Sequence, residues 1–367
     1  MNVLITGSRG FIGKNLKIFL LDKKFKVFEF NRGDNFKKLE KFIKLSDIIF
    51  HLAGENRPKN KIFFKINNID LTNKICKIIE KQKKKIKIIF SSTTQIYKNN
   101  EYAKSKLICE KILIKFKKDT NNDIKILRLP NVYGKWSKPN YNSAVATFCY
   151  NIARNKKITV HDNNQYVILN YIDDLLIDFQ NLVKNKNKKT YFNITKVHKI
   201  KVGHIANKIK NFHKNITNIN LNNLRSKIDK NLYSTFISFI PKNLFSFNVQ
   251  SNSDDRGNFV EFLRSESFGQ VSFFSINVKK SRGEHYHHSK VEQFMIFKGS
   301  AKIKYFNLYN NKTTIKKVND KKMQIFRSMP GYIHTIINTG RSQVLGIVWA
   351  NENFNIKKAD TFRLNYE

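Results

Sequence analysis

The segment that most constrains the fold is Thr6-Gly7-Ser8-Arg9-Gly10-Phe11-Ile12-Gly13, which follows the apolar run Asn2–Ile5 and leads into the helix-periodic stretch Phe11–Asp22. Three glycines at G-x-x-G-x-x-G spacing between a strand and a helix have a joint purpose. The first permits a tight turn, the second lets backbone approach a pyrophosphate, and the third lets the helix pack close to the strand. A helix N-terminus beneath such a loop attracts phosphate through its free amides and its dipole. This predicts a dinucleotide site built from Gly7, Arg9, Gly10, Phe11, Ile12 and Gly13.

The rest of the first half fits that start. Apolar runs at Lys26–Phe30, Ile48–Leu52, Ile86–Phe90 and Ile124–Arg128 alternate with helix-period segments such as Tyr102–Phe116. Such alternation predicts βαβ units and a parallel sheet. Residues 181–245 are rich in Lys and Asn, with helical spacing at Val202–Phe212. From Phe247 the pattern changes to short strand-like runs between Gly and Asn turns, at Gln270–Val278, Gln293–Phe297, Ala301–Leu308, Gln324–Arg327, Thr335–Ile337 and Val344–Trp349. Many short strands without helices predict a sandwich or barrel. A chain of 367 residues exceeds what one core usually organises, so two domains are expected, 1–245 and 246–367.

Cofactor choice is read after the second strand, where an acid would bind the ribose 2′-hydroxyl of NAD. Here Lys26–Phe30 ends in Asn31-Arg32, and Arg9 sits in the glycine loop, so two guanidinium groups favour the 2′-phosphate of NADPH. Glu29 lies within the strand rather than at its tip.

The 69 basic residues against 27 acidic ones give a formal charge of +42. The positive charge is mostly lysine spread over nearly every helical segment, as in Lys81-Gln82-Lys83-Lys84-Lys85-Ile86-Lys87. Nucleic-acid sites favour Arg forks with interleaved aromatics, so no specific nucleic-acid partner is expected. No run of eighteen apolar residues is present, which predicts no membrane span. The opening residues lack the basic and apolar regions of an export signal, and Cys76, Cys109 and Cys149 read as buried reduced thiols. A cytoplasmic location is expected.

Tyr102-Ala103-Lys104-Ser105-Lys106 places a phenol and an ammonium on one helix face. A phenol with an ordinary pKa near 10 becomes useful at neutral pH when a cation favours its phenolate. Phe90-Ser91-Ser92-Thr93-Thr94-Gln95 brings hydroxyls to the end of the fourth strand. With the glycine loop, these residues resemble the extended short-chain dehydrogenase/reductase family. His51-Leu52-Ala53-Gly54, Arg128-Leu129-Pro130-Asn131-Val132-Tyr133-Gly134 and Tyr171-Ile172-Asp173-Asp174-Leu175 match further motifs in that family's order. The resemblance implies a Rossmann domain in which Leu52, Ala53, Gly54 and Arg32 join the cofactor site. It also implies that Tyr102 protonates a carbonyl oxygen, Thr93 hydrogen-bonds the same oxygen, and Lys106 holds the ribose and lowers the Tyr102 pKa.

The second half has its own constellation, Gly283-Glu284-His285-Tyr286-His287-His288-Ser289-Lys290-Val291-Glu292, followed by Pro330-Gly331-Tyr332-Ile333-His334. On a strand, residues i and i+2 face the same way, so His285 and His287 are expected to point inward together. Glu292 on the next strand and His334 after the Pro-Gly turn complete three imidazoles and a carboxylate, a set that suits one divalent metal, zinc first. The pattern resembles a cupin barrel, with Lys279 and Gln324 where that family has turn glycines.

The joined halves resemble bifunctional capsular-polysaccharide enzymes that form UDP-2-acetamido-2,6-dideoxy-L-talose. Leu52-Ala53-Gly54-Glu55-Asn56-Arg57-Pro58, the stretch Gly134–Cys149, Asp254–Glu261 and Arg282–His288 carry that similarity. It implies C3 epimerisation of a UDP-linked 4-keto-6-deoxy amino sugar in the cupin, then NADPH-dependent C4 reduction, by a homo-oligomer. Three other readings stay open: a reductase with a structural or sugar-binding cupin, the same domains acting on another nucleotide sugar, and a non-enzymatic basic binding protein.

Overall fold

The computed structural model describes residues 1–363. The chain divides into two units, Met1–His213 with Leu224–Pro241, and Lys214–Asn223 with Lys242–Glu367. This places the change a few residues before the 245/246 boundary expected from composition. It also assigns 214–223 to the second unit, where Leu221 N donates to Arg264 O at 2.8 Å.

The first unit is built on a sheet of β1 (Asn2–Thr6), β2 (Lys26–Phe30), β3 (Ile48–His51), β4 (Lys87–Thr93), β5 (Asp123–Leu129) and, after β6 (Asn131–Tyr133) and β7 (Tyr166–Tyr171), β8 (Tyr191–Phe192). Its order is β2-β1-β3-β4-β5-β8, with every neighbouring pair parallel. Val3, Leu4 and Ile5 are fully buried, as are Ile49, Phe50, Ile88 and Ile89. Near-continuous apolar runs are what a parallel sheet covered on both faces requires. Helices α1 (Phe11–Asp22), α2 (Phe36–Leu45), a single turn α3 (Ile62–Phe64), α4 (Leu71–Lys81) and α5 (Glu101–Thr120) connect β1 to β5 in turn; α6 (Ala144–Ile152) lies between β6 and β7, and α7 (Ile172–Lys184) between β7 and β8. A π-helical turn, Lys65–Asp70, precedes α4. A small sheet pairs β6, β7 and β9 (His198–Lys201), and α8 (Val202–Lys214) and α9 (Lys227–Ile237) come after it.

Caps explain where the site-bearing helix begins and ends. Asn100 accepts from Ala103 N at 2.9 Å at the start of α5, and Asn121 at φ 54° closes it in the left-handed conformation. Asparagine is among the few non-glycine residues that tolerate this conformation.

The second unit is all-β. A six-stranded sheet runs β10 (Ser251–Asp254), β11 (Gly257–Ser265), β12 (Gly269–Ile276), β19 (Val344–Ala350), β14 (Glu292–Lys298), β17 (Ile325–Arg327). A four-stranded sheet runs β13 (Ser281–His285), β18 (Tyr332–Asn338), β15 (Ser300–Asn307), β16 (Thr313–Asn319). Both are antiparallel, and Phe274, Ile276, Phe294 and Ile296 of the first pack with Ile303, Tyr305 and Ile336 of the second in one core. Three of the strands that hydrophobic pattern leaves out, β10, β13 and β16, lie at sheet edges. Edge strands bury little and carry charge against mispairing, so they show no apolar alternation.

Among the described residues, no helix is long and apolar enough to cross a membrane. Cys76, Cys109 and Cys149 are free and buried.

Candidate functional site

Gly7 leaves β1 at φ +77°, and a side chain there would sit 2.8 Å from the Ala53 backbone. Gly10 N donates to Gly7 O at 3.0 Å, which closes the turn. A Cβ on Gly13 would stand 2.2 Å from Gly7 O and 2.7 Å from Ser8 Cα, so α1 reaches the loop only because that residue is glycine. Above the loop lies a cleft of about 1290 Å³, whose wall includes Gly7, Arg9, Gly10, Phe11, Ile12 and Gly13. This exceeds the roughly 300–1,000 Å³ of an ordinary small-molecule pocket and leaves room for a dinucleotide beside a second ligand. Leu52 and Gly54 also reach the wall, whereas Ala53 contributes backbone packed against Gly7. Arg32 turns to Glu55 in an ion pair.

The tip of β2 is organised by Asn31, to which the sequence alone assigns no role. Asn31 is buried, its Oδ1 accepts from Arg9 N at 3.0 Å, and its amide donates to Ser8 Oγ at 2.8 Å. Glu29 is held by Ser8 Oγ at 2.7 Å and Lys17 at 2.5 Å. Its carboxylate is therefore committed within the strand, and the tip carries an amide in place of an acid.

Thr93 ends β4, Tyr102 lies in the first turn of α5, and Lys106 follows one turn later; all three line the same cleft. Ser92 donates to the buried carboxylate of Glu110, which also receives Arg128 at 2.7 Å and Tyr191 OH at 3.1 Å. Ser92 is thus committed elsewhere, leaving Thr93 as the hydroxyl beside the phenol. One expectation changes here. Burial pushes the Tyr102 phenol up, and its hydrogen bond with Thr93 offsets only part of the rise. The predicted lowering by Lys106 is absent because that ammonium donates to Ser91 O at 2.8 Å and lies 4.6 Å above the Phe90 ring. Burial in turn lowers Lys106 to about 8, with Cys109 and Glu110 opposing.

Two further residues support this wall. His51 is buried between Thr6 Oγ1 at 2.8 Å and Thr72 Oγ1 at 3.0 Å, and burial lowers its pKa to about 3, so it is neutral. Asn68, on the π-helical turn, accepts from Glu55 N at 2.7 Å and donates to Ser105 Oγ at 2.9 Å. It ties the Gly54–Glu55 segment to the helix carrying Lys106. On the far side of the cleft, Arg57 donates to Tyr141 O at 2.6 Å.

The second site lies wholly in the all-β unit. His285, His287, Glu292 and His334 each offer one ligand atom, and these atoms lie within 4.8 Å of one another. The route differs from the expected i, i+2 pair on one strand. β13 ends at His285, Glu284 adopts φ 61°, and the register against β18 shifts between Gly283 and His285. His287 therefore comes from the following loop, and the imidazoles converge with centroids 4.6 to 5.4 Å apart. His287 Nε2 is buried without a hydrogen-bond partner; it lies 3.5 Å from Glu292 Oε2, with His334 Nε2 at 3.3 Å from the same oxygen. Burial, with His334 next, lowers His285 to about 4 and leaves it neutral. Three imidazoles, a carboxylate and an orphaned buried ring nitrogen form a donor set that fits a borderline divalent ion. Lys279, where the cupin pattern has glycine, adopts φ 64°, so the turn keeps its left-handed shape. A cavity of about 370 Å³ adjoins the set, lined by Phe259, Phe274, Phe294 and Val348 and, on its polar side, Arg282 and Lys290.

Comparison with known proteins agrees with both halves. Residues 3–194 match the NAD dependent epimerase/dehydratase family, and residues 252–362 match the polysaccharide biosynthesis C-terminal domain. The chain belongs to the NAD-dependent epimerase/dehydratase family. It is 37% identical to the UDP-2-acetamido-2,6-beta-L-arabino-hexul-4-ose reductase of Pseudomonas aeruginosa over 99% of this chain and 98% of that protein. It also resembles the capsular polysaccharide assembling protein CapF of Staphylococcus aureus, 35% identical, with a TM-score of 0.92 over the whole of both chains. A UDP-glucuronic acid 4-epimerase of Bacillus cereus, 22% identical over 58% of this chain and 83% of its own, shares the fold of the first unit at a TM-score of 0.53. Membership in the family brings with it a nicotinamide dinucleotide cofactor. Asn31, His51 and Asn68 are the family-domain residues that spacing did not single out, since their work depends on partners 13 to 45 residues away.

Proposed function

We propose that this chain reduces the C4 ketone of a UDP-linked 2-acetamido-2,6-dideoxy-4-hexulose with NADPH, after epimerising C3 in its all-β unit, and so forms UDP-2-acetamido-2,6-dideoxy-L-talose. The observation that carries the reading is Thr93, Tyr102 and Lys106 on one wall of the glycine-loop cleft, in a chain with a full-length relative that is a nucleotide-sugar 4-ketone reductase.

Bound NADPH supplies the hydride. Tyr102, kept protonated by burial, gives its proton to the ketone oxygen, while Thr93 orients that oxygen by a hydrogen bond. Lys106 offers its ammonium to the ribose side of the cleft. Positioning and general acid catalysis together account for the acceleration. An amide at the β2 tip and Arg9 on the wall favour a 2′-phosphate over a free 2′-hydroxyl, with Arg32 available once it leaves Glu55.

The 4-ketone acidifies C3–H, so epimerisation must precede reduction, which removes that ketone. His285, His287, Glu292 and His334 would hold a divalent ion, zinc first. The ion would supply Lewis-acid stabilisation of an enolate. A CapF structure, 32% identical, carries the inhibitor 3-isopropenyl-tropolone, and a tropolone's adjacent oxygens form a chelating pair. We further take the protein to be a cytoplasmic homo-oligomer; Ile108 and Ile114 stand exposed on α5, as an interface helix would present them.

A second reading, reduction alone with a structural all-β unit, is favoured by the Pseudomonas relative's name, which specifies only a reductase. One experiment separates the two. NADPH consumption is followed with the 4-hexulose in deuterated water and the product is weighed. Turnover with deuterium at C3 supports both activities, turnover without it supports reduction alone, and no turnover refutes the substrate.

A further inference from the structure

We propose that Asp360, in the C-terminal strap, is the positioning residue of the histidine site, fixing the tautomer and the loop of His287. The inference rests on the metal reading above. Asp360 lies outside the ligand set, 68 positions after Glu292 and 26 after His334 in the sequence.

One residue makes five hydrogen bonds to one loop. The Asp360 carbonyl oxygen pairs with His287 Nδ1 at 2.5 Å. Its carboxylate accepts His288 N at 2.8 Å on one oxygen. On the other it accepts Ser289 N at 2.7 Å, Ser289 Oγ at 2.9 Å and Lys290 N at 2.8 Å. Beside it, Tyr286 N donates to Phe362 O at 2.9 Å and Phe362 N donates back to Tyr286 O at 3.0 Å. The Phe362 ring packs on Tyr286 at 5.5 Å and on His288 at 4.9 Å. The strap therefore clasps every residue from 286 to 290.

A carbonyl can only accept, so His287 Nδ1 must carry the proton. The lone pair is thereby placed on Nε2, the buried atom without a partner that faces Glu292. Holding the outer nitrogen of a ligating imidazole on a carbonyl is the usual way proteins fix ring orientation and ligand basicity. The carboxylate adds the second half of the device. Three successive amides converge on it, so the loop keeps its curvature and Lys290 stays aimed at Glu292 Oε1, 2.9 Å away. Because strap docking and ion binding favour the same arrangement, each strengthens the other by the same factor.

The test uses the full-length chain, stripped with a chelator and titrated with Zn²⁺ against a chromophoric competitor. Asp360→Asn, Asp360→Ala and a chain ending at Ala359 are compared with wild type, and NADPH affinity checks that the first unit is intact. Zinc binding should weaken in the order Asn, Ala, truncation, reaching about 10- to 100-fold. Hydrogen exchange in peptides spanning 286–290 and 356–362 should slow on zinc addition in wild type and not in Asp360→Ala. Wild-type zinc uptake with equal affinity in all variants would overturn the inference while leaving the metal reading standing. No zinc uptake by wild type would overturn both.

Discussion

Replacing Gly13 by alanine tests the central claim about the dinucleotide cleft, and its cost can be worked from the backbone. The new methyl would stand 2.2 Å from Gly7 O, which is 1.2 Å short of the 3.4 Å where ordinary contact begins. Ser8 Cα at 2.7 Å and Gly7 C at 2.9 Å close the other directions. All three atoms are backbone, so no side chain can rotate away. Overpacking of this kind costs about 1–3 kcal/mol, against about 1 kcal/mol gained from alanine's helix propensity. The chain has two ways to absorb the strain. If the loop holds its shape, the whole penalty appears as lost stability. If the loop is pushed outward, the penalty appears as lost cofactor affinity, where 1.4 kcal/mol is tenfold. Isothermal titration with NADPH and thermal melting of the free protein measure the two shares, whose sum should be about 2 kcal/mol, the upper end of the overpacking cost less the helix-propensity gain. Gly33→Ala is the control: it has nothing within 4 Å but a φ of +88°, so it should cost about 1–2 kcal/mol of stability and no affinity. A Gly13→Ala protein with wild-type melting and wild-type affinity would refute the close approach of α1 to the loop.

Three other outcomes follow from the geometry. Tyr102→Phe should lower reduction by about 10²- to 10⁴-fold while C3–H exchange with deuterated water continues; loss of both would mean the two reactions share a site. Lys106 is held near 8 by burial, so its ammonium is present below that pH and lost above it. The kcat/KM for reduction should accordingly fall as pH rises through about 8, and a profile flat to pH 10 would rule out a role for that charge. His285→Ala should lose stoichiometric zinc, read by elemental analysis, and C3 exchange, yet bind NADPH like wild type; retained exchange would show that the histidine site is structural.

The parallel-sheet half was readable because its signals are local. Strand burial on both faces writes unbroken apolar runs such as Ile48–Phe50, and the glycine loop needs its three residues within seven positions of one another. Thr93, Tyr102 and Lys106 are likewise placed by a strand end and a helix turn. What stayed hidden was the direction of the Lys106 ammonium, since its partner is the Ser91 carbonyl, and a backbone acceptor leaves no trace in a sequence. The lowered Tyr102 pKa expected from the pairing failed for that reason, with burial outweighing a cation that points elsewhere.

The all-β half shows the opposite balance. Its four histidine-site residues were legible as a set because imidazoles and a carboxylate are rare enough to stand out, but the path that gathers them was not. An i, i+2 pair on one strand and a pair in which the strand ends at His285, just after the left-handed Glu284, have the same spacing in sequence and differ only in backbone. The distinction has a mechanical consequence. A His287 on a strand would be oriented by its ladder, whereas a His287 in a loop needs an external hold. Asp360, 73 positions away, is where the fold puts one. A carboxylate near the end of a basic chain reads as a solvated charge until the strap is seen to close on the loop. Ring orientation at the second site therefore depends on the strap that carries Asp360, and any perturbation that frees that strap should be felt first at His287.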